Sequence, residues 1–255
     1  MPGKKIKYLE IFPYYGQIVS ECQSYKKRLV YKVIPAHVYQ PFREEIRLAW
    51  LRFKNRGLVK RFQTSNNLLV NLGAGDKGRS GWINVDTVKR EGVNCVYDCR
   101  KKLPFPDNSV RAIFCEHFFE HIDYTEEIPH FLTECHRVLQ DGGVFRIIVP
   151  DAELYMQAYG EGGWEALSRI RPLDSERCDF YYKCKINVKM ELINLVFRQG
   201  NEHKYAYDFE TLEFILFRYG FTRVIKQAFG RSLMGELCID QACRASESLY
   251  VEAVK

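Results

Sequence analysis

From residue 68 onward, short apolar runs alternate with longer segments of helical periodicity. Apolar runs of strand length, each ending close to a glycine or an acidic residue, lie at 68–72, 82–85, 95–97, 112–115 and 144–149. Two further strand candidates follow at 222–229 and 248–255. Strands that alternate with helices favour a parallel sheet covered on both faces. The pattern therefore predicts an α/β fold whose ligands bind beyond the carboxyl ends of the strands.

Two amphipathic helices are predicted between these strands. The first has apolar residues at helical spacing over 128–139 and ends before the Gly142-Gly143 pair. The second begins at Asp208, which is a good N-cap residue, and ends at Gly220. The stretch 152–200 shows no such periodicity, and we expect it to form an irregular lid over the acceptor side of the cleft.

The first quarter of the chain differs from the remainder in charge. Residues 1–66 contain 14 Lys and Arg against 4 Asp and Glu, while residues 67–255 contain 24 against 28. Within the basic segment, the apolar residues Phe42, Ile46, Ala49, Trp50 and Phe53 lie on one face of a predicted helix. We predict two units, a basic aromatic N-terminal cap over 1–66 and a main domain over 67–255.

Two roles are open for this cap. In the favoured interpretation its aromatic face packs on the main domain while its basic side chains are solvated. In the other, the basic residues form an electrostatic surface for phosphate, an anionic polymer or an acidic membrane.

Composition restricts the class and the compartment. The chain is 46% hydrophobic and 27% charged, which excludes a disordered or collagen-like protein. Its apolar runs are far shorter than the roughly 20 residues of a membrane-spanning helix, and no secretory signal is recognised at the N-terminus. The nine cysteines include no C-x-x-C pair, so reduced thiols are expected. A soluble, cytoplasmic protein is predicted.

A glycine-rich turn follows the first strand. Gly73, Gly75 and Gly78 form G-x-G-x-x-G, which fits a dinucleotide, another nucleoside or a simple tight turn. A nicotinamide dinucleotide is disfavoured because Asp86 follows Gly75 by only eleven residues instead of about twenty. Asp86 suits the two hydroxyls of a ribose, and Asp98, after the third strand, suits an adenine amino group. These residues favour an adenosine without phosphates, and a cationic one most of all.

Three segments in this order resemble the class I S-adenosylmethionine-dependent methyltransferases. They are LLVNLGAGDKGRSGWINVD at 68–86, YDCRKKLPFPDNSVRAIFCEHFFEHI at 97–122 and LTECHRVLQDGGVFRIIVPD at 132–151. The similarity is greatest to the branch with a shortened glycine loop before G-W-I-N-V-D, and it returns at 202–221 and 248–255. Two departures from the family are Asn71, where the family has an acid, and a crossover after Gly75 that is too short for a helix.

The resemblance implies a doubly wound, Rossmann-like sheet of seven mostly parallel strands with an antiparallel last strand. It also implies S-adenosylmethionine as cofactor and S-adenosylhomocysteine as product. The implied cofactor-binding residues are Gly73, Ala74 and Gly75 for methionine and ribose, Asp86 for the ribose hydroxyls, Asp98 and Cys99 for adenine, and Glu116, with His117, towards the sulfonium and the acceptor.

The segment 117–121 has two chemical interpretations. It matches the H-x-x-E-H signature of inverted zinc proteases, but no third ligand is evident, so no metal and no zinc-dependent hydrolase are expected. In the other interpretation His117 is a general base and Glu116 orients the acceptor. The structural alternative is that both residues cap the following helix. His203 is a second candidate base because of its position.

The predicted function is methyl transfer from S-adenosylmethionine to an oxygen or nitrogen of a small molecule or of a sugar in a glycan. One alternative is a nucleic-acid methyltransferase that uses the basic N-terminal segment. The other is a protein that binds the cofactor without catalysis, since a fold does not fix a function.

Overall fold

The computed structural model describes residues 33–161, 163–171 and 186–255. Its helices are α1 (Ala36–Lys54), α2 (Leu58–Phe62), α3 (Ile128–Val138), α4 (Ala152–Gly160), α5 (Trp164–Ile170), α6 (Lys189–Arg198) and α7 (Phe209–Arg218). Its strands are β1 (Leu68–Leu72), β2 (Ile83–Asp86), β3 (Cys95–Val96), β4 (Val110–Glu116), β5 (Leu139–Pro150), β6 (Arg223–Gln227) and β7 (Ser248–Val254). Within these ranges, no helix has both the length and the apolar character needed to cross a membrane.

The seven strands form one sheet in the order β3-β2-β1-β4-β5-β7-β6. The first five strands of this order are parallel to one another, and β7 runs antiparallel to both of its neighbours, β5 and β6. The predicted seven-stranded α/β fold with an antiparallel last strand is therefore confirmed. Because β1, β2 and β4 are adjacent and parallel, their carboxyl ends meet at one edge.

Helices α3 and α7 cover one face of the sheet. Their apolar stripes, which include Phe131 and Leu216, pack with strand residues such as Phe145 and Val251 in the main core. The side chain of Asp208 accepts a hydrogen bond from the Thr211 amide and so caps α7, as predicted. Both predicted helices are confirmed.

The opposite face is covered by the long connection between β6 and β7, residues 228–247. Buried side chains of this face, among them Trp82, Phe114 and Ile148, pack with Leu237 and Met234 of that connection. The crossover from β1 to β2 contains no helix, in agreement with its short length. Because the crossover from β1 to β2 supplies no helix, the connection between β6 and β7 covers this face instead.

A buried ion pair fixes the connection to the sheet. The guanidinium of Arg146 on β5 is fully buried and donates to Asp240 in the connection (2.8 Å) and to Glu252 on β7 (2.9 Å). Glu252 also accepts a hydrogen bond from the Leu233 amide at 2.8 Å. Each charge therefore has an opposite partner, which is the condition for burying charges in a protein core.

Helix α1 has the opposite orientation from the one predicted. Phe42, Trp50 and Phe53 are 65%, 61% and 64% exposed, so the prediction that this face packs on the main domain is wrong. The side that packs contains the buried Leu48 and Leu51. Arg47 and Arg52 also lie on this side of the helix, because they donate hydrogen bonds to acceptors on the main domain. A pattern of apolar positions does not reveal such acceptors. Residues 1–32 of the predicted cap lie outside the described residues.

The stretch 152–200 is helical where it is described. Helices α4, α5 and α6 lie within it, so the expectation that this stretch is irregular is wrong, while its role as a lid stays a prediction. They have 9, 7 and 10 residues, too few turns for a clear apolar period. They share a separate apolar cluster that includes Tyr155, Leu167 and Leu192. Gly162 and residues 172–185, which contain Arg177, Tyr181 and Tyr182, lie outside the described residues.

We expect Asp240→Asn to lower the free energy of unfolding by about 3 kcal/mol, because it leaves a buried guanidinium short of one charged partner. Urea unfolding monitored by circular dichroism measures this difference. Glu153→Gln is the control, since Glu153 contacts only exposed partners, Lys226 and Gln157, and loss of its charge should change little. Equal urea midpoints for Asp240→Asn and wild type would contradict the assignment.

Candidate functional site

The glycine turn after β1 presents open main chain at the carboxyl edge of the sheet. Gly73 and Gly75 have φ angles of 72° and 55°, in the left-handed region that favours glycine. The amides of Gly73 and Ala74 donate to the Val85 carbonyl, each at 3.0 Å. A Cβ at Gly75 would meet no atom within 4 Å, so this part of the main chain can approach a ligand closely.

Buried amides hold the rest of this loop. Asn84 on β2 accepts a hydrogen bond from the Arg79 amide at 2.9 Å and donates to the Arg79 carbonyl at 2.8 Å. Asn71, which replaces the family's acid, donates to Asn84 at 3.2 Å. Gly78 packs so closely on Gly92 that a Cβ there would lie 2.5 Å from the Gly92 backbone. Asn71 thus supports the loop instead of reaching towards a ligand.

The carboxylate of Asp86 lies directly beside the glycine turn. One oxygen accepts from the Gly75 amide at 2.9 Å and the other from the Val88 amide at 2.8 Å. A carboxylate has about four lone-pair positions, so two remain for other donors. The half-buried Asp86 can accept a pair of hydroxyl groups while it keeps the turn in place.

Asp98 is engaged by two arginines. Its fully buried side chain accepts from Arg52 of α1 at 2.8 Å and from Nε of Arg100 at 2.9 Å. Burial alone would raise the pKa of this carboxyl, but the hydrogen bonds and charges of Arg100 and Arg52 hold it below its usual value. The contact of Asp98 with adenine stays a prediction. What the structure adds is an anchor for helix α1.

Cys99, beside Asp98, is buried in the main core, and burial raises the pKa of its thiol well above the usual value. It is therefore a neutral, apolar side chain. Its predicted contact with adenine also stays a prediction.

Glu116, at the end of β4, is held by the connection between β6 and β7. Its two carboxylate oxygens accept hydrogen bonds from the main-chain and side-chain amides of Gln241, at 2.9 and 2.8 Å. No local pattern indicated Gln241, because 125 residues separate the two partners. This contact fixes the direction of Glu116 at the edge of the sheet.

His117 follows directly and has φ 51°, which is uncommon for a residue with a side chain. Its Nε2 lies 2.9 Å from the hydroxyl of Ser248, and its Nδ1 lies 3.3 Å from Oε1 of Glu120. The chain continues as a single 3₁₀ turn, Phe119–His121, so the helix that Glu116 and His117 were to cap in the structural alternative is absent from this described segment.

The carboxyl edge therefore brings together most of the predicted site. Gly73, Gly75, Asp86, Glu116 and His117 lie at the ends of β1, β2 and β4, and Phe118 packs against Gly73. His203 and Glu120 are both buried, and Nε2 of His203 lies 3.8 Å from Oε1 of Glu120. Its role as a base stays a prediction.

Comparison with known proteins supports this picture. Residues 84–147 match the family model described as a methyltransferase domain. No curated protein matches the chain. The match, on a sheet of seven strands with antiparallel β7, confirms the predicted resemblance of this segment to methyltransferases.

Several solved structures are similar to the chain. A SAM-dependent methyltransferase from Archaeoglobus fulgidus is 18% identical, with 85% of this chain and 99% of that chain covered and a TM-score of 0.45. One from Thermotoga maritima is 14% identical over 86% and 98%, with a TM-score of 0.43. Phosphoethanolamine N-methyltransferase 2 from Haemonchus contortus is 13% identical over 82% and 56%, with a TM-score of 0.41. Values this low say nothing about the acceptor or the partners of this chain.

Because the pKa of Asp98 is lowered in the folded state, its stabilising contribution is present above its unfolded-state pKa of about 3.9 and is lost as the pH falls below that value. We expect Asp98→Asn to cost about 2 kcal/mol at neutral pH, the size of hydrogen bonds to a charged group. The difference from wild type should shrink as the pH falls below about 5.

Urea midpoints at several pH values test this expectation. Asp107→Asn is the control, because that carboxylate pairs with Arg137 at the surface and should matter little at any pH. If the difference in urea midpoint between wild type and Asp98→Asn does not change with pH, the charge of Asp98 is not what holds the two arginines.

Proposed function

We propose that the protein transfers the methyl group of S-adenosylmethionine to an oxygen or nitrogen of a small molecule or of a sugar in a glycan. The observation that carries this proposal is the open main chain at Gly75, hydrogen-bonded to a carboxylate of Asp86 that keeps free lone pairs. Open backbone beside a carboxylate suits the amino-acid and ribose parts of that cofactor. A cytoplasmic location is part of the proposal.

The residues at the edge fit the cofactor as follows. Gly73, Ala74 and Gly75 would contact its methionine and ribose, and Asp86 its ribose hydroxyls. Adenine would lie beside Asp98 and Cys99, and Glu116 would face the sulfonium. The bound cofactor supplies a methyl group on a positively charged sulfur. Carboxylates at this edge stabilise a positive charge nearby.

The chain's own contribution to the reaction is positioning and proton transfer. Displacement at a methyl group needs the acceptor atom in line with the leaving group, and orientation supplies much of the rate. Glu116, fixed by Gln241, is the residue we assign to acceptor orientation. His117, with its Nε2 at the Ser248 hydroxyl, is the base that takes the acceptor proton.

The orientation of α1 supports a small acceptor over a nucleic acid. Arg47 donates to Glu44 at 2.9 Å and to the Thr87 carbonyl at 2.9 Å, and Arg52 pairs with Glu45 and Asp98. These guanidinium groups are neutralised within the molecule and do not form a surface for phosphates. Binding of a polyanionic acceptor would weaken steeply with added salt, whereas binding of a neutral sugar would not.

We expect Asp86→Asn to weaken S-adenosylmethionine binding by about 10- to 100-fold, because one charged acceptor of the ribose hydroxyls is lost. Isothermal titration calorimetry measures the dissociation constant. Asp76→Asn is the matched control: Asp76 lies in the same loop, and its exposed carboxylate pairs only with Lys77 among the described residues. If both variants bind as wild type does, Asp86 does not hold the ribose.

We expect His117→Asn to lower turnover by about 100-fold with little change in cofactor affinity, since a general base contributes about that factor. Asparagine tolerates the positive φ of this position. S-adenosylhomocysteine release, measured over a panel of sugars, small amines and nucleic acids at low and high salt, identifies the acceptor and gives the rate.

His136→Asn is the control for turnover, because His136 contacts the Gly220 carbonyl away from the edge. Unchanged turnover in His117→Asn would remove His117 from the mechanism. Binding of the cofactor without release of product from any acceptor would favour the non-catalytic alternative.

A further inference from the structure

A compact group of histidines and one carboxylate lies behind the predicted site. Ligand atoms of Glu120, His121 and His203 all lie within 4.8 Å of one another. Nε2 of His203 is 3.8 Å from Oε1 of Glu120, and the rings of His121 and His203 are nearly perpendicular with centroids 4.6 Å apart. Glu120 and His203 are buried, and His121 is half-buried. The group therefore has a route from solvent along His121.

The carboxylate of Glu120 has histidines around it but no well-formed hydrogen bond. Among the described residues, neither of its oxygens has a hydrogen-bond donor, although the side chain is almost fully buried. Nδ1 of His117 lies 3.3 Å from Oε1 of Glu120, in a contact that does not have good hydrogen-bond geometry. A buried carboxylate is costly unless it is both hydrogen-bonded and paired with an opposite charge. This is an observation independent of the spacing of the histidines.

The orientation of His203 places a second electron-rich atom beside the carboxylate of Glu120. Its Nδ1 lies 2.6 Å from the Val196 carbonyl, so this nitrogen carries the proton and donates. Nε2 then presents a lone pair towards Glu120. Histidines that bind metals commonly donate their other ring N–H to a backbone carbonyl or carboxylate, as His203 donates to Val196.

We propose that Glu120, His121 and His203 bind one divalent transition-metal ion, with Zn²⁺ as the favoured ion. Two imidazoles and a carboxylate are a ligand set that such ions use. Zinc bonds of about 2.0–2.2 Å place neighbouring ligand atoms about 3.3 Å apart. The three groups need only small side-chain rotations to reach that separation. The ion neutralises Glu120 and accepts the lone pair of His203.

The backbone fixes the third ligand at this place. The amide of Lys204 donates to the Glu120 carbonyl at 2.7 Å, which holds residue 203 against the 3₁₀ turn 119–121. The hydroxyl of Tyr207 is also buried and lacks a hydrogen-bond partner in the described part of the chain, and the charge of Glu120 acts on it. The ion would join the turn after β4 to helix α6, through His203 and Val196.

This site differs from the zinc-protease interpretation of H-x-x-E-H. His117 is not among the three ligands, and Glu120 binds the ion instead of acting as a base. The expectation of no metal came from the lack of a third ligand, and the fold brings His203 to that position. We assign the ion a structural role, which does not depend on the proposed acceptor.

Metal retention by the full-length chain, purified without an affinity tag, tests the proposal. The protein is treated with a chelator, incubated with Zn²⁺, desalted and measured by elemental analysis. We expect one zinc per chain in wild type and less than a tenth of that in His203→Asn. Asparagine keeps the donor to the Val196 carbonyl but removes Nε2. His130→Asn, which removes an exposed histidine of α3, should retain one zinc.

Cobalt gives a second readout. Titration with Co²⁺ should produce stoichiometric visible absorption bands in wild type and in His130→Asn, and none in His121→Asn. The latter variant changes a half-buried side chain and so covers the case in which His203→Asn does not fold. The proposal is overturned if wild type retains no more zinc than His203→Asn and shows no cobalt bands, or if His130→Asn loses the metal equally.

Discussion

The buried guanidinium of Arg146 is the constraint on which the site depends. A charge in the middle of a sheet is tolerable only with its partners, and one of them, Asp240, lies in the long connection between β6 and β7. The pair therefore holds this connection against the face of the sheet. Gln241, the next residue, reaches across to bind Glu116 at the carboxyl edge. The direction of a predicted site residue thus follows from an ion pair buried in the sheet.

The end of β4 serves two purposes within a few residues. Glu116 and His117 lie at the edge where the glycine turn and Asp86 meet, while Glu120 and His121 lie on the turn that follows. His117, whose φ is positive, lies between the two groups. His117 contacts both, through Ser248 on one side and Glu120 on the other. Since Glu120 contacts His117, the proposed metal ion would hold in place a residue that positions the proposed base.

The residues that the sequence analysis missed are those whose partners are distant in the chain. Gln241 and Ser248 contribute side chains to the edge, and Arg52 and Arg100 share Asp98, but none of them belongs to a local pattern. The aromatic stripe of α1 shows the opposite case, a clear local pattern that led to a wrong prediction of which side of the helix packs. Its period is regular and predicts the helix, yet the side that packs is decided by the acceptors available to Arg47 and Arg52.

The sequence by itself determined the alternation of strands and helices, the glycine turn with Asp86, and the resemblance to methyltransferases, because these depend on neighbouring residues and on the period of apolar positions. The tertiary structure decided which face of α1 packs, how Glu116 is oriented, and that His203 joins Glu120 and His121. These contacts bring together side chains 46 to 125 residues apart or depend on a single backbone hydrogen bond between distant segments. Such pairs are set by the packing of the whole sheet and its connections, which no local pattern encodes.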